Sequence, residues 1–225
     1  MKNTYLIYEE DAIEALKHLK EDSIDCLFTS PNPPRTDADI TYLVRFFTEF
    51  QKYIKNTGVV FVQLSDYHND KGDLGNVPGI FLAYMKKEGW TYRSFLIWHR
   101  LNDDSKMEDE MRFRRDIEFI FMLAPDKNHY FNDRLGMHKT ALISVPFEKV
   151  RKTEFKSGFP PEVVRRCILP ATKPDDIILD PFTGTGTTGM VALNHGRHFI
   201  GFEIKEGYKA KIDNRLSKFG IAEIE

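Results

Sequence analysis

Cysteine is nearly absent from this chain: Cys26 and Cys167 are the only two in 225 residues. Both stand among apolar neighbours, with no sulfur or histidine partners at ligand spacing, which excludes a disulfide framework and a zinc ribbon. No apolar run approaches bilayer-spanning length. The first residues lack the charged-then-apolar order of a secretory leader. The expected setting is therefore cytoplasmic, with no membrane partner and no metal. Charge of one sign is lacking too: 32 basic against 34 acidic residues leave a formal net charge of −2. Global charge therefore does not announce a nucleic-acid binder, and any such surface has to be local. Internal repeats and low-complexity tracts are also missing.

What remains has ordinary globular composition, 41% hydrophobic and 29% charged. It is read as one domain over residues 1–225. Strand and helix signals alternate, which predicts a parallel sheet with helices on both faces. Thr4–Tyr8 and Ile24–Phe28 read as strands, with a helix carrying Ile13, Leu16 and Leu19 between them. Leu43, Phe46, Phe47, Phe50 and Ile54 recur at helical spacing. Val59–Leu64 reads as a strand, Pro78 opens a helix, and Ser94–Trp98 and Ile117–Leu123 read as further strands. Pro161 opens another helix, with Val163, Val164, Cys167 and Ile168 on one face. Residues 100–115 and 125–156 are read as irregular.

The most specific stretch is Asp176-Ile177-Ile178-Leu179-Asp180-Pro181-Phe182-Thr183-Gly184-Thr185-Gly186-Thr187-Thr188-Gly189. An apolar strand ends in an acid, turns on glycines and enters a helix over Thr187–Asn194. Glycines let the backbone approach a ligand closely, and the helix start offers free N–H groups. The next strand, His198–Phe202, ends in Glu203, an acid placed to bind ribose hydroxyls. Only 22 residues follow Glu203. The rest of a nucleotide-binding sheet is therefore expected upstream, which implies a circular permutation. Gly184-x-Gly186-x-x-Gly189 also fits a dinucleotide fingerprint. Asp-Pro-Phe is foreign to that loop, however, and no complete βαβαβ unit follows it.

A second turn, Thr29-Ser30-Pro31-Asn32-Pro33-Pro34, follows the buried strand Ile24–Phe28. Its prolines strip the backbone of donors, leaving a rigid row of carbonyl acceptors and the Ser30 hydroxyl. Such a turn can accept hydrogen bonds from an amino group; it can also be simply a stiff loop.

Together these motifs resemble the S-adenosylmethionine-dependent DNA amino-methyltransferases, in the permuted class whose catalytic turn precedes the cofactor loop. Those enzymes carry Asp/Ser/Asn-Pro-Pro-aromatic and Asp-Pro-Phe-x-Gly-x-Gly-Thr-Thr. The resemblance covers nearly the whole chain. It implies an α/β, circularly permuted Rossmann-like fold with a mostly parallel seven-stranded sheet, S-adenosyl-L-methionine as cofactor and double-stranded DNA as substrate. It further implies cofactor contacts from Asp11, Thr29, Phe159, Pro160, Asp180, Pro181, Phe182, Thr183, Gly184, Thr185, Gly186, Thr187, Thr188 and Glu203. The alternative reading of Asp11 is a helix N-cap. The catalytic turn would comprise Ser30, Pro31, Asn32 and Pro33. Serine at its first position resembles the cytosine-N4 branch; adenine-N6 transfer and a non-catalytic subunit are the alternatives. A covalent C5 mechanism is disfavoured, because neither cysteine follows a proline.

One departure stands out. The aromatic that ends the family turn is replaced by Pro33 or Pro34, so a stacking platform for a flipped base has to come from elsewhere. Tyr67 and His68 are the candidates. Residues 100–115 and 126–156 are read as small target-recognition insertions, with Arg112, Arg114, Arg115, Lys149, Arg151 and Lys152 as DNA-backbone contacts. A homodimer or a cognate restriction endonuclease is the further partner that the resemblance admits.

Overall fold

The computed structural model describes residues 3–67, 73–101, 116–132, 140–146 and 160–222. His68, Arg112, Arg114, Arg115, Lys149, Arg151, Lys152 and Phe159 lie outside the described residues. The strands are β1 (Thr4–Tyr8), β2 (Ile24–Thr29), β3 (Ile54–Leu64), β4 (Thr91–Leu101), β5 (Ile117–Ala124), β6 (Leu142–Pro146), β7 (Ile177–Asp180), β8 (His198–Phe202) and β9 (Ile221–Ala222). The helices are α1 (Ala12–Ala15, continued as a 3-10 turn over Leu16–His18), α2 (Asp37–Phe50), α3 (Val77–Lys87), α4 (Pro161–Ala171), α5 (Thr187–Asn194) and α6 (Tyr208–Leu216).

All strands form one sheet in the order β6-β4-β5-β3-β2-β7-β8-β1-β9. Among the described strands, only β5 runs against its neighbours, β3 and β4. The expected seven strands become nine among the described residues, because β6 and β9 add one strand to each edge. Both were hidden by shortness. β6 buries only Ile143 and forms because β4 offers it a partner edge, from Ile97↔Leu142 to Leu101↔Pro146. The segment 125–156 read as irregular thus contains a strand, and β4 runs to Leu101, into the segment 100–115.

Apolar side chains fill both faces of the sheet. One core joins the sheet to α1, α2 and α3 through Ile13, Phe46, Phe47, Phe50 and Phe81. The other joins it to α4, α5 and α6 through Val164, Cys167, Val191 and Ile212. The Thr36 hydroxyl accepts from Asp39 N, and the Asp39 carboxylate accepts from Thr36 N, so α2 opens with a capping box. Ile54 continues the helical apolar spacing but belongs to β3, because α2 ends at Phe50. Its side chain enters the same core as Phe50 from the strand side.

The permutation is visible in the pairing. β7, late in the chain, lies at the centre of the sheet, parallel to β2 on one side and to β8 on the other. From β2 the chain proceeds to β3 on one flank; from β7 it proceeds to β8 on the opposite flank. The β2/β7 pair is thus the topological switch point, where an open α/β sheet leaves a crevice at its carboxyl edge.

Candidate active site

The two turns singled out in the sequence leave the sheet side by side at that crevice. β2 pairs with β7 through Cys26↔Ile178 and Leu27↔Leu179, so Thr29 emerges beside Asp180. A cavity of about 940 Å³ opens there, and its wall includes Ser30, Pro31, Asn32, Pro33, Asp180 to Thr185, Thr187, Thr188 and Glu203.

The loop after β7 is built around Asp180. Its carboxylate accepts from Thr29 Oγ1 at 2.8 Å, Thr188 Oγ1 at 2.6 Å and Phe182 N at 3.1 Å. Burial pushes this carboxyl up to about 6, against the opposing pull of those three donors. The charge of Glu203 adds to the upward shift. Asp180 is therefore chiefly the internal strut of the loop, although it also reaches the cavity wall. Gly186 sits at φ +75° as the residue before α5, a left-handed conformation that glycine adopts without strain. Gly189 lets α5 lie against β8: a Cβ there would stand 2.6 Å from the Phe199 ring. Arg215 of α6 donates to Thr185 O at 2.7 Å and fastens the loop from behind.

Glu203 directly follows β8, which the Thr183 N to Phe202 O bond of 2.9 Å ties to the loop. Its carboxylate accepts from Gly184 N at 2.8 Å and Lys205 N at 3.0 Å. The side chain is largely buried, yet it lies on the cavity wall. Asp11 is an N-cap, as the alternative reading had it: Oδ1 accepts from Ile13 N at 2.9 Å and Glu14 N at 3.4 Å. Oδ2 accepts from the Tyr42 hydroxyl at 2.7 Å, so the same carboxylate also fixes a ring on the cavity wall. Pro160 is buried ahead of α4 and is not part of the cavity wall.

The Pro-rich turn after β2 is shaped by what holds it. Pro31 and Pro34 are buried, Pro33 is half-buried and Asn32 is exposed. Tyr67 does not line the cavity. Its hydroxyl donates to Arg35 O at 2.6 Å, and its ring packs where a Cβ on Gly75 would stand. The structure therefore gives it a tethering place beside the turn, whereas the sequence reading made it a stacking platform. The rings that do line the cavity are Phe28, Tyr42, Trp98, Phe182 and Tyr208.

Four polar side chains to which the sequence reading gave no role in the site also line the wall: Gln63, Ser65, Arg100 and Glu118. Gln63 Nε2 donates to Glu118 Oε2 at 2.9 Å and to Ser65 Oγ at 3.1 Å. Ser65 Oγ donates to Glu118 Oε2 at 2.6 Å, and Arg100 lies 3.3 Å from Glu118 Oε1. Their signal was a polar residue inside an apolar strand: Gln63 within Val59–Leu64, and Glu118 within Ile117–Leu123. Burying such groups is costly unless they find partners, so each implied a neighbour.

The site's parts fit an S-adenosylmethionine-type ligand: a Gly-rich loop at a helix start, a carboxylate at the next strand tip, and a cavity large enough to hold a nucleoside. Among described residues no helix is long and apolar enough to cross a membrane. Comparison with known proteins agrees with the fold. The protein is 26% identical to the Type II methyltransferase M.Cfr9I of Citrobacter freundii, covering 95% of this chain and 88% of that one. It is 28% identical to the DNA adenine methyltransferase YhdJ of Escherichia coli K12, over 90% and 79% respectively. Among solved structures, the cytosine-N4-specific PvuII DNA methyltransferase superposes with a TM-score of 0.80 at 19% identity, covering 99% of this chain and 97% of that one. The M1.HpyAVI–SAM complex superposes at 0.77 with 23% identity, over 94% and 98%. The N6/N4 methyltransferase family model, described as DNA methylase, matches residues 36–214, and the chain belongs to that family.

Proposed function

We propose that this protein transfers a methyl group from S-adenosylmethionine to the exocyclic N4 amino group of cytosine in double-stranded DNA. The observation that carries this reading is the convergence of Ser30-Pro31 and the Asp180–Thr188 loop on one cavity at the switch point. A group bound to the loop and a base bound at the turn would face each other there.

Bound at the loop, S-adenosylmethionine would supply an electrophilic sulfonium methyl. Glu203 would accept from the ribose hydroxyls, and the backbone of Phe182 to Gly186 would lie along the methionine part. Cytosine's amino nitrogen is a poor nucleophile, because its lone pair is delocalised into the ring. Ser30 Oγ and the Pro31 carbonyl would accept its two hydrogens and hold the nitrogen in line with the methyl. Rate then comes from positioning and fixed dipoles. The base has to leave the duplex to reach this depth. Because proline takes the aromatic's place in the turn, a ring on the cavity wall, Trp98 or Tyr42, would stack on it.

Adenine-N6 transfer by the same site is the second reading, favoured by the similarity to YhdJ. The prolines in place of the turn's aromatic favour a third, a subunit that binds cofactor or DNA without catalysis. Residues 100–115 and 126–156, with β6 inside the latter, would meet the DNA. The Type II name of the Citrobacter relative favours a cognate restriction endonuclease as partner and a cytoplasmic setting; a homodimer is the other expected partner. The test is incubation of purified protein with duplex DNA and isotopically labelled donor, followed by mass analysis of the nucleosides. N4-methylcytosine supports the proposal, N6-methyladenine replaces it with the second reading, and no transfer by the folded, donor-binding chain leaves the third.

A further inference from the structure

Every hydrogen in the polar chain behind Ser30 points the same way. In β2/β3, Thr29 lies opposite Val62, so Ser30 emerges beside Gln63. In β3/β5, Gln63 lies opposite Ile120, and in β4/β5, Trp98 lies opposite Glu118. Ser30, Gln63, Glu118 and Arg100 are thereby brought to one patch of cavity wall from four neighbouring segments.

The direction of the chain follows from its far end. Glu118 accepts from Gln63 Nε2 and Ser65 Oγ, and pairs with Arg100. A carboxylate so surrounded has only acceptors to offer, so the Gln63 amide must turn its NH2 toward Glu118 and its oxygen away. That oxygen receives the Ser30 hydroxyl hydrogen. Ser30 consequently has no hydrogen left to give, and its lone pairs remain for the cavity. Aligned hydrogen bonds of this kind polarise one another, which strengthens the acceptor at the open end.

We infer that Gln63, oriented by Glu118, is a positioning residue that makes Ser30 an obligate hydrogen-bond acceptor, and so selects an amino group over a carbonyl or bare ring nitrogen at the reacting position. This inference rests on the proposed methyl transfer at Ser30. Without the anchor, the Ser30 hydroxyl could rotate and donate to cytosine's ring nitrogen, which lies next to the amino group. The group that faces Ser30 is a neutral amide, so it orients the serine's proton and takes none away.

Three measurements test this. Gln63→Leu roughly keeps the volume and removes all three bonds, to Ser30, Ser65 and Glu118. It is expected to lower kcat roughly 10- to 100-fold while the donor's calorimetric affinity, which reports an intact fold, stays at the parent value. Turnover at the parent rate overturns the inference, whereas a parent chain that transfers no methyl defeats the functional reading instead. Gln63→Glu keeps an acceptor for Ser30 but sets a second carboxylate against Glu118. Among described residues, the charged groups in that network are Glu118 from β5 and Arg100 from β4. Two such acids hold one proton between them when the pH is low enough and repel when both are ionised. Variant activity relative to the parent is therefore expected to fall between about pH 6 and about pH 9, and a flat ratio overturns the inference. The third measurement needs no turnover. The Gln63 side-chain amide protons, followed by NMR exchange, should be protected in the parent and lose protection in Glu118→Ala; exchange as fast as that of an exposed glutamine in the parent overturns it.

Discussion

Thr29 and Asp180 stand 151 positions apart, and the Thr29 hydroxyl donates to the buried Asp180 carboxylate at 2.8 Å. One residue closes the strand that carries the Pro-rich turn; the other opens the glycine-rich loop. This single bond sets the spacing between the two halves of the site, and both partners are buried.

Thr29→Val keeps the shape and removes the donor. Asp180 then loses one of its donors in a buried place. The expected loss is about 1–3 kcal/mol of stability, read from urea unfolding. A variant as stable as the parent would show that the bond contributes nothing net.

The same carboxyl gives stability a pH dependence. Asp180 is raised to about 6 in the folded protein, mainly by burial, from a reference value of 3.8. Within that interval the folded chain holds a proton that the unfolded chain has released. Its contribution to stability is fully present below the lower value and is lost as pH rises through the upper one. Asp180→Asn, which cannot titrate, should flatten this part of the curve whatever it does to absolute stability. Chemical unfolding of both proteins at a series of pH values checks the slope; parallel curves would refute the assignment.

Much of this was legible locally. β7 and α5 could be read because apolar run, acid, glycines and helix follow one another within a few residues. The bounds of α5, Thr187–Asn194, match those expected. Other features depend on partners far away. β6 and β9 exist because β4 and β1 present edges to pair with, and short segments carry little periodicity of their own. Ile54 kept helical spacing by coincidence, since strand and helix deliver side chains to the same core. Gln63 and Glu118 were visible as polar interruptions of apolar strands, but their meeting across β3 and β5 required the antiparallel register. Tyr67 was noticed for its ring, while its hydroxyl is what the fold uses.

Glu203 tests the cofactor side. Its carboxylate organises Gly184 and Lys205 and lies on the cavity wall. Glu203→Ala is expected to weaken S-adenosylmethionine binding by about 1–3 kcal/mol, since buried hydroxyls lose a charged acceptor. Titration calorimetry reads this directly, and unchanged affinity would remove Glu203 from the site.

Ser30→Ala tests the acceptor side. The turn's prolines keep their places, so the cofactor loop is untouched. Turnover should drop roughly 100-fold while donor affinity stays near the parent value. If both fall together, Ser30 supports the cavity as a whole; if neither changes, the acceptor lies elsewhere.

Tyr67 separates a tether from a platform. A stacking platform needs only a ring, so Tyr67→Phe would retain full activity and only Tyr67→Ala would lose it. A tether needs the hydroxyl, which holds the Arg35 carbonyl just beyond Pro34 at 2.6 Å. Arg35 itself lies on the cavity wall and leads into the capping box of α2. Releasing its carbonyl lets the turn drift relative to a helix that stays fixed. Losing one such bond costs about 0.5–1.5 kcal/mol of stability. A small displacement of the turn can cost more in rate than in stability, because transfer depends on alignment. The expected result is that Tyr67→Phe already loses most of the activity lost by Tyr67→Ala, with donor affinity preserved in both. Full activity in the phenylalanine variant would return Tyr67 to the role of a stacking ring.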